Sequence, residues 1–187
     1  MSTRIPGFKG EYLWELDIAE KQLLALAEAF PAERYGWRPE GARSVSEVVV
    51  HIAAGNLLLL DLNGAKGADD LYGHREGDFG QRIFPAIAVN ERLEKAVTGK
   101  AEAIAMLQRS LKTVRECFTR TPDQELERQD HLFGEVTTIR RSYMRLLCHM
   151  HEHMGQLIAY TREMGLPVPW PDWKESGKKI IEQGRYS

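Results

Sequence analysis

The stretch Leu146–Tyr160, LLCHMHEHMGQLIAY, carries three of the chain's six histidines within five residues. An α-helix turns about 100° per residue, so positions four apart share a face and positions two apart point nearly opposite ways. His149 and His153 therefore pair on one face, and His151 faces away. Around them Ile139, Tyr143, Leu146, Met150, His153, Leu157, Tyr160 and Met164 alternate steps of four and three, the seam of a helix packed in a bundle. The spacing predicts a long last helix from near Thr137 to Met164, ended by Gly165 and Pro167.

Working outward, Leu13, Leu16, Leu23, Leu24, Ala27 and Phe30 follow helical spacing and predict a first helix over 11–30, stopped by Pro31. A Gly- and Pro-containing loop then leads to Ser44-Val45-Ser46-Glu47, in which Ser44 caps a helix and Glu47 reaches back. A second helix is expected from Val45 to Leu62, carrying His51. Residues 63–85 are polar and Gly-rich without a clear period, the pattern of a long crossover connection. A brief helix is expected over 90–97. Thr98 then caps a third long helix, with Ile104, Leu107, Leu111, Val114 and Phe118 inward and a solvated face at Arg109, Lys112 and Glu116. After Pro122, RQDHLFGEVTT reads as a turn or short hairpin. The sum is an all-α protein: a four-helix bundle with one long crossover, a single domain over 1–187 with its core at about 10–171 and a short tail, 172–187.

Composition fits that architecture. Of 187 residues 43% are apolar, enough for one sizeable core. The 25 basic residues nearly balance the 27 acidic ones, which speaks against a phosphate-binding surface, and no nucleic acid partner is expected. The start has no apolar core of signal-peptide length and the aliphatic run Leu57–Leu60 is too short to span a bilayer, so a soluble, cytoplasmic protein with no membrane partner is expected. Cys117 and Cys148 lack any CxxC spacing and read as small buried hydrophobes.

Two imidazoles on successive helical turns can hold one transition metal, and a third ligand must then come from elsewhere in the fold. His51, in VVVHIAAGN, is the natural source, with Ala54 and Gly55 one turn on leaving room above its ring. Three such ligands leave a metal position open to water or substrate. Spacing alone leaves a second reading, in which these are packing histidines; His74 and His131, in polar segments, read that way. His151 shares its side of the helix with Leu147, Met154 and Ile158, a second apolar stripe that suggests a neighbouring helix or a dimer interface. Residues 149–153 also spell H-x-x-E-H, an inverted zinc-peptidase signature. Only 34 residues follow His153, however, and no sheet is expected to bind a peptide strand. Gln156 and Tyr160 continue the His149/His153 face as candidate cavity-lining groups, and Asn56 is a candidate group behind His51. No paired carboxylates, Ser-His-Asp set or Gly-rich phosphate loop supports another mechanism.

The pairing of SVSEVVVHIAAGN with HMHEHMGQLIAYTREMGLPVPW, about a hundred residues apart, resembles the DinB/YfiT-like family of small helical-bundle proteins. The lead-in WRPEGARSVSE, with Trp37, Pro39 and Ser44, is similar to that family's approach to its second helix. The resemblance implies a four-helix bundle, often dimeric, with His51, His149 and His153 as ligands of zinc, nickel or another divalent ion. It further implies thiol-dependent chemistry, in which a low-molecular-weight thiol takes an open metal position. A thiol S-transferase acting on small electrophiles is thus the leading expectation. A metal-dependent hydrolase of the same fold and a non-catalytic metal- or ligand-binding bundle are the alternatives.

Overall fold

The computed structural model describes residues 7–65, 69–73, 77, 79–170, 178 and 182. Helix α1 (Gly7–Ala29) is followed across a loop by α2 (Val45–Leu62). A crossover holding α3 (Asp69–Tyr72) and α4 (Phe79–Ala96) leads to α5 (Lys100–Arg120). Then α6 (Asp123–Leu126) and a hairpin of β1 (Gln129–Leu132) and β2 (Glu135–Thr138) precede α7 (Ile139–Glu163). Helices α1, α2, α5 and α7 form the bundle: α2 packs against α5 and α7, and α1 closes the other side against the same two helices. The expected tail at 172–187 lies, except for residues 178 and 182, outside the described residues, as do 66–68, 74–76 and 78.

Helix α2 is the centre of the molecule because it is apolar all round. Val48, Val49, Val50, Ile52, Ala53 and Ala54 are all fully buried, which requires neighbours on every side. By length and hydropathy α2 would suffice to cross a membrane, yet 83% of it is buried inside the protein, as a core helix must be. Its start is the expected capping box. The Ser44 hydroxyl accepts from the Glu47 N–H at 3.2 Å, and the Ser44 N–H donates to Glu47 Oε2 at 2.7 Å.

The crossover departs from the sequence expectation. In place of a brief helix over 90–97 stands α4, an 18-residue helix that begins at Phe79 and carries Pro85 inside it. Its inward positions Ile83, Ala86, Asn90 and Glu94 recur at helical spacing and are buried. Two of the four are polar, and that hides the apolar stripe a sequence reading depends on. The helix packs on the outer side of α2. Lys95 Nζ to Glu47 Oε1 (2.5 Å) and Tyr72 OH to Asn90 Oδ1 (2.7 Å) and Ala54 O (2.9 Å) fasten it there.

Three smaller differences follow from local chemistry. Gly99, not Thr98, takes the extended N-cap position of α5, with no side-chain hydrogen bond. Thr138 caps α7 by accepting from the Arg141 N–H. The stretch before α7 is the hairpin, with Leu132 opposite Glu135 and a two-residue turn in which Phe133 and Gly134 both have positive φ, 53° and 85°, as a tight antiparallel turn requires. The second stripe of α7 is covered by a neighbouring helix of the same chain. Leu147 and Met154 are buried where α7 meets α1, and His151 Nε2 lies 3.3 Å from Glu15 Oε1 of α1.

Candidate metal centre

The antiparallel packing of α2 on α7 brings His51 to the two histidines nearly a hundred positions away. One ring nitrogen from each of His51, His149 and His153 falls within 4.8 Å of the others. His149 Nε2 and His51 Nε2 are 3.2 Å apart. Two nitrogens at zinc-bonding distance from a common ion, at angles between 90° and tetrahedral, would be separated by about 2.9–3.4 Å. The His51–His149 pair falls within that range.

Each ring is held differently. His51 Nδ1 lies 2.7 Å from Glu94 Oε1; an ionised carboxylate can only accept, so Nδ1 carries the proton and the lone pair of Nε2 faces the cluster. Burial alone would push the Glu94 carboxyl up, but the hydrogen bonds and charges of His51 and Arg43 outweigh it and hold it below its ordinary range. His153 Nδ1 lies 3.1 Å from Gln156 Oε1, Gln156 Nε2 donates to Tyr160 OH at 2.7 Å, and Tyr160 OH donates to the Arg43 carbonyl at 2.9 Å. The Arg43 side chain meanwhile donates from Nε to Glu94 Oε2 at 2.8 Å. One residue of the loop before α2 thus anchors the supports of two histidines, through its side chain for His51 and its carbonyl for His153.

His149 has no such support. Its Nδ1 is buried without a hydrogen-bond partner, and its ring lies against Gly55, where a Cβ would come within 2.4 Å of His149 Cε1. Gly55 does leave room, but for His149 across the interface and not above His51 on its own helix. Burial, then the neighbouring His153, His51, Arg145 and Arg43, press the His149 imidazolium down to about 3. Burial also lowers His153, against an opposing pull from the Gln156 hydrogen bond. Neutral imidazoles are the form that ligates a cation, so the donor set suits a borderline divalent ion.

A cavity of about 420 Å³ opens beside the cluster, lined by His51, Gly55 and His149 and walled by Leu58, Leu59, Leu62 and Ile87. Gln156 and Tyr160 turn toward His153 and Arg43 instead of into this space. Asn56 is fully buried on the far side of α2, where its Nδ2 donates to Ser110 Oγ of α5 at 3.3 Å; five residues from His51 is nearly the opposite face of a helix. His151 is bound to its own helix at Leu147 O and to Glu15. His131 sits exposed on β1, and His74 is outside the described residues. Sequence reading missed Glu94 and Arg43, which carry no local motif; their tie to the histidines exists only across the packed helices.

A helical bundle whose second and last long helices bring three imidazoles together, two of them lining a cavity, defines a class of proteins able to hold a divalent cation. The chain belongs to the DinB superfamily, whose sequence model matches residues 15–157. It is similar in fold to a crystal structure of a DinB-like protein from Bacillus cereus, with a TM-score of 0.53 and 19% identity over 88% of this chain and 97% of that one. A DinB-like protein from Bacillus subtilis is similar at a TM-score of 0.51 and 21% identity over 84% and 95% of the two chains. No curated protein matches the chain.

Proposed function

We infer that the chain is a divalent-metal-dependent enzyme that joins a low-molecular-weight thiol to a small electrophile. The observation that supports this reading most is that His51 and His149 line a cavity. Structural metal sites are closed by four protein ligands, whereas three leave a position for a reactant. Zinc and nickel suit an all-imidazole set. When bound, such a cation supplies Lewis acidity that lowers the pKa of a thiol or water at its open position. The protein's own residues do the remaining work. His51, His149 and His153 hold the ion, Glu94 and Gln156 keep two rings in the ligating tautomer, and the leucines of the cavity wall exclude bulk water. In S-transfer the thiol sulfur bonds to the electrophilic carbon, the leaving group departs with its electron pair, and the thiol proton passes to water. Cys117, buried as expected, and Cys148, exposed against expectation, form no disulfide, which suits work in the reducing cytoplasm.

The test starts from tag-free protein purified without chelator, beside His51→Ala and His149→Ala. About one divalent ion per chain is expected, lost in both variants, with thiol addition to a dinitrophenyl halide that disappears with the ion. Ester cleavage without thiol addition would move the assignment to hydrolysis. A sharp fall in thermal stability of His149→Ala with neither activity in the parent would leave a metal that only ties α2 to α7. Absence of metal after dialysis against zinc, nickel and manganese would overturn the reading.

A further inference from the structure

Arg141, Arg145, His149 and His153 recur at every fourth position of α7, so they climb one face of the helix in axial steps of about 6 Å. Gly55, Leu59 and Leu62 descend the facing side of α2 in the opposite direction, beyond His51. The cavity lies between these two stripes, with His51 and His149 toward one end and Arg141 and Arg145 toward the other. Phe133, exposed at the hairpin turn, and Ile87 of α4 border it.

The charges along this channel are unequal. Arg43, Arg141 and Arg145 line it with Glu91 and Glu94. Glu94 is committed to Arg43 and His51. Arg145 meets Glu152 through Nη2, which leaves its other guanidinium N–H groups for a second acceptor. The Arg141 guanidinium has no acceptor among the described residues. Two guanidiniums one helical turn apart, beside an apolar wall, suit a carboxylate that carries a short hydrocarbon chain.

We propose that the cavity binds a small organic carboxylate, its anionic end on Arg141 and Arg145 and its other end directed at the imidazole cluster. The carboxylate carbon would then lie about 6–12 Å along the helix axis from the level of His149, with Leu58, Leu59, Leu62 and Ile87 against the chain. The substrate of the site is on this account an anionic electrophile. That last step rests on the metal-enzyme reading; the binding of the anion does not.

Calorimetric titration with hexanoate and with 1-hexanol, on chelator-treated and on zinc-reloaded protein, tests the assignment. Hexanoate is expected to bind about tenfold or more tighter than the alcohol in both forms. Arg141→Gln and Arg145→Gln should each erase most of that preference while leaving zinc content and helical circular dichroism unchanged. Glu152→Gln, which releases Arg145, should tighten hexanoate, an effect no folding defect imitates. Equal binding of acid and alcohol, or a preference that vanishes with the chelator because the carboxylate sits on the metal, would overturn the proposal. Hexanoate preference in a protein that takes up no zinc would support this site and sink only the metal reading.

Discussion

Gly55 of α2 and His149 of α7 touch so closely that a single methyl group on the glycine would overlap the imidazole, at 2.4 Å from Cε1 and 3.0 Å from Nδ1. The backbone there needs no special conformation, since Gly55 is an ordinary helical residue. Its lack of a side chain serves the histidine alone.

Gly55→Ala is therefore expected to separate site from fold. Alanine is the better helix former by about 1 kcal/mol, so the chelator-treated variant should melt no lower than the parent unless the displaced ring disturbs the core. Metal content after zinc dialysis should fall sharply. Wild-type metal content in the variant would mean that His149 can move aside and still ligate.

Glu94→Gln keeps an acceptor for His51 Nδ1 but removes the charge. Partners of this kind typically change metal affinity by about 10–100-fold. A competition titration against a chromophoric chelator should show a loss in that range for Glu94→Gln and a larger one for Glu94→Ala. No change in either would show that the contact orients nothing.

Tyr160→Phe cuts the link between Gln156 and the Arg43 carbonyl without removing bulk from the core. The Gln156 amide is then free to rotate, and His153 loses its enforced tautomer. Nitrogen-15 NMR of the chelator-treated variant should show a mixture of His153 tautomers where the parent shows Nδ1–H alone. An unchanged spectrum would place the control in the ring's packing.

Glu47 links the capping box of α2 to α4. Burial opposes its ionisation, but the hydrogen bond from Lys95, the Ser44 N–H and the nearby Arg38 together hold its carboxyl below the ordinary value. A folded-state value below the unfolded one gives stability that is complete above the unfolded carboxylate range, about pH 4.3, and is lost as pH falls through the folded value. Glu47→Gln retains the box but not the charge. Urea unfolding between pH 7 and 3 should show the variant less stable at neutral pH and less sensitive to acid; parallel curves would rule out this contribution.

Much of the architecture follows from local rules that a sequence displays. The capping box at Ser44–Glu47, the four-residue spacing of His149 and His153 and the closing Gly165 depend only on residues within a turn or two of one another. For the same reason both ends of α2, Val45 and Leu62, are legible in the chain itself. Helix α4 escaped because Asn90 and Glu94 occupy inward positions where a periodic reading expects apolar side chains.

What tertiary structure alone decided is how the three imidazoles are supported and what they face. His51 is 98 residues from His149 and 43 from Glu94, and nothing local couples them. Arg43 reaches both supporting networks only because its loop lies where α2, α4 and α7 meet. Hydrogen bonds and ligand sets that cross between helices depend on the angle and register of packing. Those are set by the whole core acting together, whereas a helix's own periodicity is written in each turn of its sequence.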